Sequence, residues 1–330
     1  MPRTRRYIKS NGLYEITFRA SSTLPLPCTE AMAAVIHSAL ARVQRDNKVV
    51  LHHYIFEGTH PHILCTAKDA DKCRQFYGQL QKQLTESIKR FLGLEQLNIW
   101  DGCPSVIEIP TLEDAISTIA YLYANPSNDD LERSIELYPG VSSWQALRSC
   151  DSVEQRISVK HPRIRQFMIP KLPSAALTPR QDRFVTEKML ERSKESHELQ
   201  VYPLLWIKHF IDDPSRKDVS QFKEEIIADL RSREEENGRR RVRERKTVLG
   251  AKALRLQALL KPHTPKKKGR KIFVKTRFKE IRQRIIAERR QIELLCREAY
   301  ESWKVRDFHI PWPPGTFPPA LPPPANALCW

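Results

Sequence analysis

The sequence predicts an α+β fold of the ferredoxin-like kind, an antiparallel sheet with two helices on one face, followed by a third helix, a mainly helical basic extension and a proline-rich tail. Three observations carry that expectation. Strand-like and helix-like segments follow one another as βαββαβ and then a further helix through the first 125 residues. Positive charge is concentrated in the second part of the chain, and proline crowds its end.

Leu13 to Phe18 alternates as a short strand. Thr29 stands where an N-cap belongs, ahead of the helix-forming run EAMAAVIHSALARVQR. Lys48 to Phe56 is rich in β-branched and aromatic residues, and His62 to Thr66 resumes strand character after the Glu57-Gly58-Thr59 break, which reads as a hairpin. From Asp69 to Leu92 the apolar residues Phe76, Leu80, Leu84, Ile88 and Phe91 recur at helical spacing. Leu97 to Trp100 and Val106 to Ile109 read as strand, interrupted by Asp101-Gly102. Thr111 with Asp114 three residues on is a variant capping box, opening a third helix expected to end near Asn125 because Pro126 disfavours helical geometry just before it. Further helices are expected from about Arg180 to Glu198 and Val219 to Ser232, while Pro311 to Pro324 should be extended. The expected division is 1–148 as the compact domain, 149–238 as a helical or linker extension, 239–306 as a basic helical region and 307–330 as the tail.

Residues 1–150 hold 16 Lys and Arg against 16 Asp and Glu, and residues 151–330 hold 40 against 23, so the whole excess of 17 positive charges falls in the second part. Between Arg239 and Arg290 there are 21 basic residues against 3 acidic ones, a run that cannot bury a core by itself. Its polyanionic partner is expected to be nucleic acid, with Arg239, Arg240, Arg241, Lys266, Lys267, Lys268, Arg270 and Lys271 as the phosphate-binding candidates. An acidic membrane surface is the weaker alternative, and no stretch approaches the roughly 20 apolar residues of a spanning helix. The N-terminus lacks the apolar run of a signal peptide, and a cytoplasmic location is expected. Seven cysteines without any CxxC spacing indicate neither a zinc module nor a disulfide framework.

His60 and His62 fall at the start of a strand, where alternation puts both imidazoles on one face and suits a shared divalent metal. Two imidazoles are an incomplete set for Mg²⁺ or Mn²⁺, so an oxygen ligand is expected from elsewhere. The third helix offers one. Tyr121 and Asn125 are i and i+4 and share a face with Ser117 and Thr118, while Ile116, Ile119, Ala120 and Tyr123 form the opposing apolar stripe. Each residue also has an ordinary reading: paired histidines on a strand face, a packing tyrosine, a solvated basic face. His52 and His53 are expected on opposite faces in structural roles, and Glu57 as a solvated charge at a strand end.

In this order the landmarks resemble the REP-associated tyrosine transposases, relatives of the single-tyrosine HUH transposases of insertion sequences. Arg6-Tyr7 followed by Leu13 to Phe18 is similar to the family's opening strand, and EGTHPHILCT to its histidine-hydrophobic-histidine strand. Trp100-Asp101-Gly102, AYLYANP and Tyr138 to Ser143 are similar to three later segments, so the resemblance spans roughly residues 5–148. It implies His60 and His62 as metal ligands, Asn125 as third ligand, Tyr121 as nucleophile, and single-stranded or hairpin DNA as partner. A 5′-phosphotyrosine intermediate would conserve the bond energy for rejoining. The resemblance leaves open whether a homodimer supplies the tyrosine in trans. Three features depart from the pattern: Pro61 between the histidines, where a bulge or unpaired edge is expected; Ser127-Asn128 after the Asn-Pro pair; and the stretch after Arg148, unmatched apart from Pro313 to Phe317. A DNA-binding regulator without cleavage and an RNA-binding protein remain the rival readings.

Overall fold

The computed structural model describes residues 6–264, 272–307 and 309–319. Its elements run β1 (Leu13–Thr17), β2 (Thr23–Leu24), α1 (Glu30–Asn47), β3 (Val50–Phe56), β4 (Pro61–Thr66), α2 (Ala70–Leu92), β5 (Ser105–Glu108) and α3 (Leu112–Asn128). They continue with α4 (Trp144–Arg148), β6 (Ile157–Pro162), α5 (Pro179–Glu191), β7 (Ser196–Val201), α6 (Arg216–Glu244), α7 (Ala251–Arg255), β8 (Lys261–Pro262) and α8 (Lys279–Lys304).

One six-stranded sheet organises the molecule, in the order β5-β1-β4-β3-β7-β6. Its first four strands are all antiparallel neighbours and form the ferredoxin-like plait, in which the first strand lies between the fourth and the third. The caps that the sequence announces are in place: Thr29 accepts from the Met32 amide, Asp69 from Lys72 and Thr111 from Asp114. Helices α1 and α2 pack on one face over a core that includes Ile16, Ile63, Leu40, Phe76, Leu80 and Leu84. On the other face α3 lies against the strands, with Leu13, Ile55 and Leu64 meeting Ile119 and Leu122, and the long α6 packs along α3.

Several expectations change. Leu97 to Trp100 is not a strand: it makes a single bridge from Trp100 to Ala20, and the Trp100 ring is used for packing, edge-on to Phe18 with its indole N–H donating to Thr85. The helix expected through Glu198 stops at Glu191, and Ser196–Val201 is a strand with alternating burial that lies parallel to β3 and antiparallel to β6. The stretch expected as helix and linker therefore contributes two strands to the same sheet. They join it where Val201 meets Leu51 and the Tyr202 amide donates to the Leu51 carbonyl, while residues 141–143 partner the edge of β3 at Tyr54 to Phe56.

Pro61 takes the first position of β4, opposite Phe56, where a missing amide donor costs least. The backbone closes the hairpin through Glu57 and His60, and the bulge falls instead on β3 between Leu51 and His53. That extra residue turns His52 and His53 to the same side: His52 bonds Thr66 and the Tyr202 carbonyl, His53 bonds Tyr123 of α3.

Candidate active site

The third helix carries the site because its rotation is fixed from both sides. Ile116, Ile119, Ala120 and Tyr123 are buried as the apolar stripe predicts. Tyr123 is pinned further, its hydroxyl 2.8 Å from His53 Nδ1 and 2.9 Å from Ser143 Oγ. On the outer side Arg233 of α6 donates to Ser117 at 3.0 Å. With the helix held in this way, Tyr121 faces the strand that bears the histidines.

Pro126 does not end α3. The helix runs on to Asn128, and the carbonyls at its end find donors: Asp129 N–H on Asn125, Leu131 and Glu132 N–H on Pro126, and Arg241 and Arg240 of α6 on Ser127 and Asn128. Proline removes one bond to the preceding turn, and these contacts hold the last turn in its place. The consequence is chemical. Tyr121, Asn125 and Asp129, spaced i, i+4 and i+8, follow one face of α3 into the site.

The structure brings His60, His62 and Tyr121 together. The two imidazole centroids are 4.8 Å apart, and the His62 ring stands 6.2 Å from that of Tyr121. His62 Nδ1 is 2.7 Å from a carboxylate oxygen of Glu15, a buried residue of β1, while its Nε2 has no hydrogen-bond partner. A carboxylate on one ring nitrogen fixes the tautomer with the lone pair on the other, the arrangement that metal-binding histidines use. His60 Nε2 lies 3.6 Å from Glu57 and 3.3 Å from Arg19, and its Nδ1 lies 2.7 Å from Thr59 Oγ1.

Glu57, expected to be solvated, is only 1% exposed. One donor atom each from Glu57, His60 and Asp129 falls within 4.8 Å of the others, a nitrogen-and-oxygen group that fits a divalent cation. Asn125 is buried one turn beyond Tyr121, and its Nδ2 has no hydrogen-bond partner. The two carboxylates were the part that sequence reasoning missed. Asp129 is hidden by ending the helix at Pro126, and the burial of Glu57 is set by the tight hairpin that precedes His60.

Electrostatically the phenol is held neutral. Burial raises the Tyr121 pKa, and Glu15, Asp129 and Glu57 raise it further, with Arg19 opposing them. Burial alone would also raise Glu15, but the Lys275 ammonium and the hydrogen bond from His62 outweigh it and hold that carboxyl down at about 2. A cation among the carboxylates would reverse the sign of the field that Tyr121 feels.

Of the basic candidates, Arg239 is exposed and paired with Glu235 at 2.7 Å. Arg240 bonds Asp130 and the Asn128 carbonyl, and Arg241 is buried on Ser127, so both are engaged in holding the end of α3. Lys266, Lys267, Lys268, Arg270 and Lys271 lie outside the described residues. No helix among the described residues is long and apolar enough to cross a membrane.

No known protein-family profile matches the chain. No curated protein matches it either. Among solved structures, one described as a REP-associated tyrosine transposase bound to a REP hairpin is similar at 20% identity, covering 45% of this chain and 86% of that one with a TM-score of 0.39.

Proposed function

We propose that this chain is a transposase-like, metal-dependent single-strand DNA endonuclease and strand transferase, with Tyr121 as nucleophile. The observation that supports this reading best is the juxtaposition of Tyr121 with His62, whose Nδ1 is tied to buried Glu15 and whose Nε2 is left unpartnered. The site would hold Mg²⁺ or Mn²⁺ through His60 and His62, with Asn125 as the oxygen ligand and the Glu57 and Asp129 carboxylates converging beside it. The bound ion would supply charge stabilisation and orientation at the scissile phosphate.

The remaining work belongs to the protein. A tyrosine hydroxyl, with a reference pKa of about 10, is a poor nucleophile near neutral pH, so its position decides the reaction. Packing of α3 on the sheet and against α6 holds the Tyr121 oxygen for in-line attack on phosphorus. The new phosphorus–tyrosine bond forms as the bond to the 3′ oxygen breaks, the phenol loses its proton, and the leaving 3′ oxygen gains one. Attack by a second 3′ hydroxyl reverses the step and joins strands without ATP. The substrate in this reading is single-stranded DNA at a hairpin, gripped by the basic region through its phosphates, with Arg239 and the lysines around 266–268 exchanging counterions.

The test uses end-labelled single-stranded oligonucleotides tiling both strands of the chain's own genomic locus, incubated with protein and Mn²⁺ and run on a denaturing gel. A labelled protein adduct is expected, and Tyr121→Phe should abolish it, a loss on the order of 10⁴-fold or more. Absence of any adduct across the tiled set, with folded protein, sinks the enzymatic reading.

A further inference from the structure

One cation reaches the site from far along the chain. Lys275 sits in the basic run, yet its Nζ lies 4.2 Å over the centroid of the Tyr121 ring and 3.5 Å from Glu15 Oε2. Its place is built by the backbone. Glu108 of β5 donates to the Phe273 carbonyl at 3.0 Å and accepts from the Lys275 amide at 3.2 Å, so residues 273–275 run parallel to the outer edge of the sheet. Beyond it the Arg277 amide donates to Asp114 at the start of α3, at 3.2 Å. Val274 and Thr276 on either side are buried, and the Arg289 guanidinium of α8 covers the Phe273 ring at 4.4 Å. A lysine serving only to neutralise Glu15 would have no need to lie over the nucleophile. The side chain of Lys275 keeps 31% of its surface exposed, against 3% for Glu15, so it lies where the buried site opens to solvent.

We propose that Lys275 is a catalytic residue that receives a non-bridging oxygen of the scissile phosphodiester, an inference that rests on the strand-transfer reading above. As Tyr121 attacks and the bond to the 3′ oxygen breaks, negative charge gathers on the non-bridging oxygens, and a fixed ammonium there is worth more in the transition state than in the ground state. The Glu15 carboxylate then has two duties: it orients His62 through Nδ1 and anchors Lys275 through its other oxygen. The extension beyond residue 148 is in this way part of the active site, not only a grip on DNA.

The experiment uses the full chain with two readouts. In the first, single-turnover adduct formation on the tiled oligonucleotides is followed for wild type, Lys275→Met and Lys275→Arg. The methionine variant should lose about 100-fold in rate at saturating DNA with little change in affinity, and the arginine variant should recover most of it. Equal melting temperatures serve as the check on folding. In the second, Lys275 acetylation by an amine-reactive reagent is measured by peptide mass spectrometry with and without a pool of mixed-sequence single-stranded 40-mers, without metal. Protection of several-fold is expected. Wild-type adduct rates in Lys275→Met, or no protection by DNA, overturn the proposal while leaving strand transfer standing. Protection with no adduct from any protein keeps Lys275 as a phosphate contact and removes the enzymatic reading.

Discussion

The two faces of the central sheet are built from the same strands for different ends. Toward α1 and α2, β1 and β4 send Tyr14, Ile16, Ile63 and Cys65 into an apolar core. Toward α3, the alternate residues of the same strands are Leu13, Glu15, His62 and Leu64, an apolar rim around a buried acid and a buried histidine. Strand alternation thus separates the apolar core from the candidate site at single-residue resolution. The first face tolerates change in proportion to volume, whereas the second fails when geometry shifts, because a displacement of α3 moves Tyr121 relative to both histidines.

That contrast is sharpest for large-to-small substitutions. Phe76→Ala in α2 and Ile119→Ala in α3 both remove fully buried side chains and should each cost about 3–4 kcal/mol in urea denaturation. Only Ile119→Ala should also slow adduct formation by the molecules that stay folded, on the order of 10-fold or more. Equal activity losses in the two variants would erase the distinction between the faces.

Both faces also hold histidines favoured in the neutral form, half-buried His37 on one and buried His52 on the other, and both should lose stability in acid. On the α1 side His37 stacks on His161 at 4.4 Å, and burial with the neighbouring imidazole lowers its pKa to about 4; on the other side burial lowers that of His52 to about 3. A folded pKa below the unfolded value of about 6.5 means that the unfolded chain binds more protons between the two. The stabilisation is therefore complete above pH 6.5 and is lost as pH falls toward 4, by about 3 kcal/mol for His37. Chemical denaturation at pH 7 and pH 4.5 should show the fall, and His37→Phe should lessen it, leaving the part that His52 contributes.

Arg241→Met tests the end of α3, since the guanidinium donates to the Ser127 carbonyl at 2.6 Å from a buried position. A loss of about 2 kcal/mol is expected, read by denaturant midpoint, with slower adduct formation because Asp129 follows directly. The smallest effect compares two caps. Thr29→Ala and Thr111→Ala should each cost about 1 kcal/mol, and only the second should move the reaction rate.

Local signals carried much of this in the sequence. Thr29, Asp69 and Thr111 announce their helices because a cap acts within three residues, and the HxH pair lies on one face because strand alternation is a two-residue property. What escaped depends on distant partners. Ser196–Val201 contains Glu198 and Gln200 and resembles helix until β6 is there to pair along its whole length. Asp129 sits beyond a proline whose turn is held in part by Arg240 and Arg241 from more than 100 residues away. Lys275 is one lysine in a run of like charge, and nothing local distinguishes it from its neighbours.

The pairing of β7 beside β3 carries a consequence for synthesis. A nascent chain that has emerged only through Asn128 can assemble the plait, but the outer edge of β3, with the sequence VLHHYIF, then presents unpaired amides and carbonyls beside apolar side chains. Residues 141–143 close that edge at Tyr54, Ile55 and Phe56, and its other end, at Leu51, is closed only when Val201 and Tyr202 arrive and β6 pairs outside β7. Truncation near residue 148 should accordingly yield a protein that associates through strand edges, and light scattering of such a fragment would reveal the protection that the later half of the chain provides.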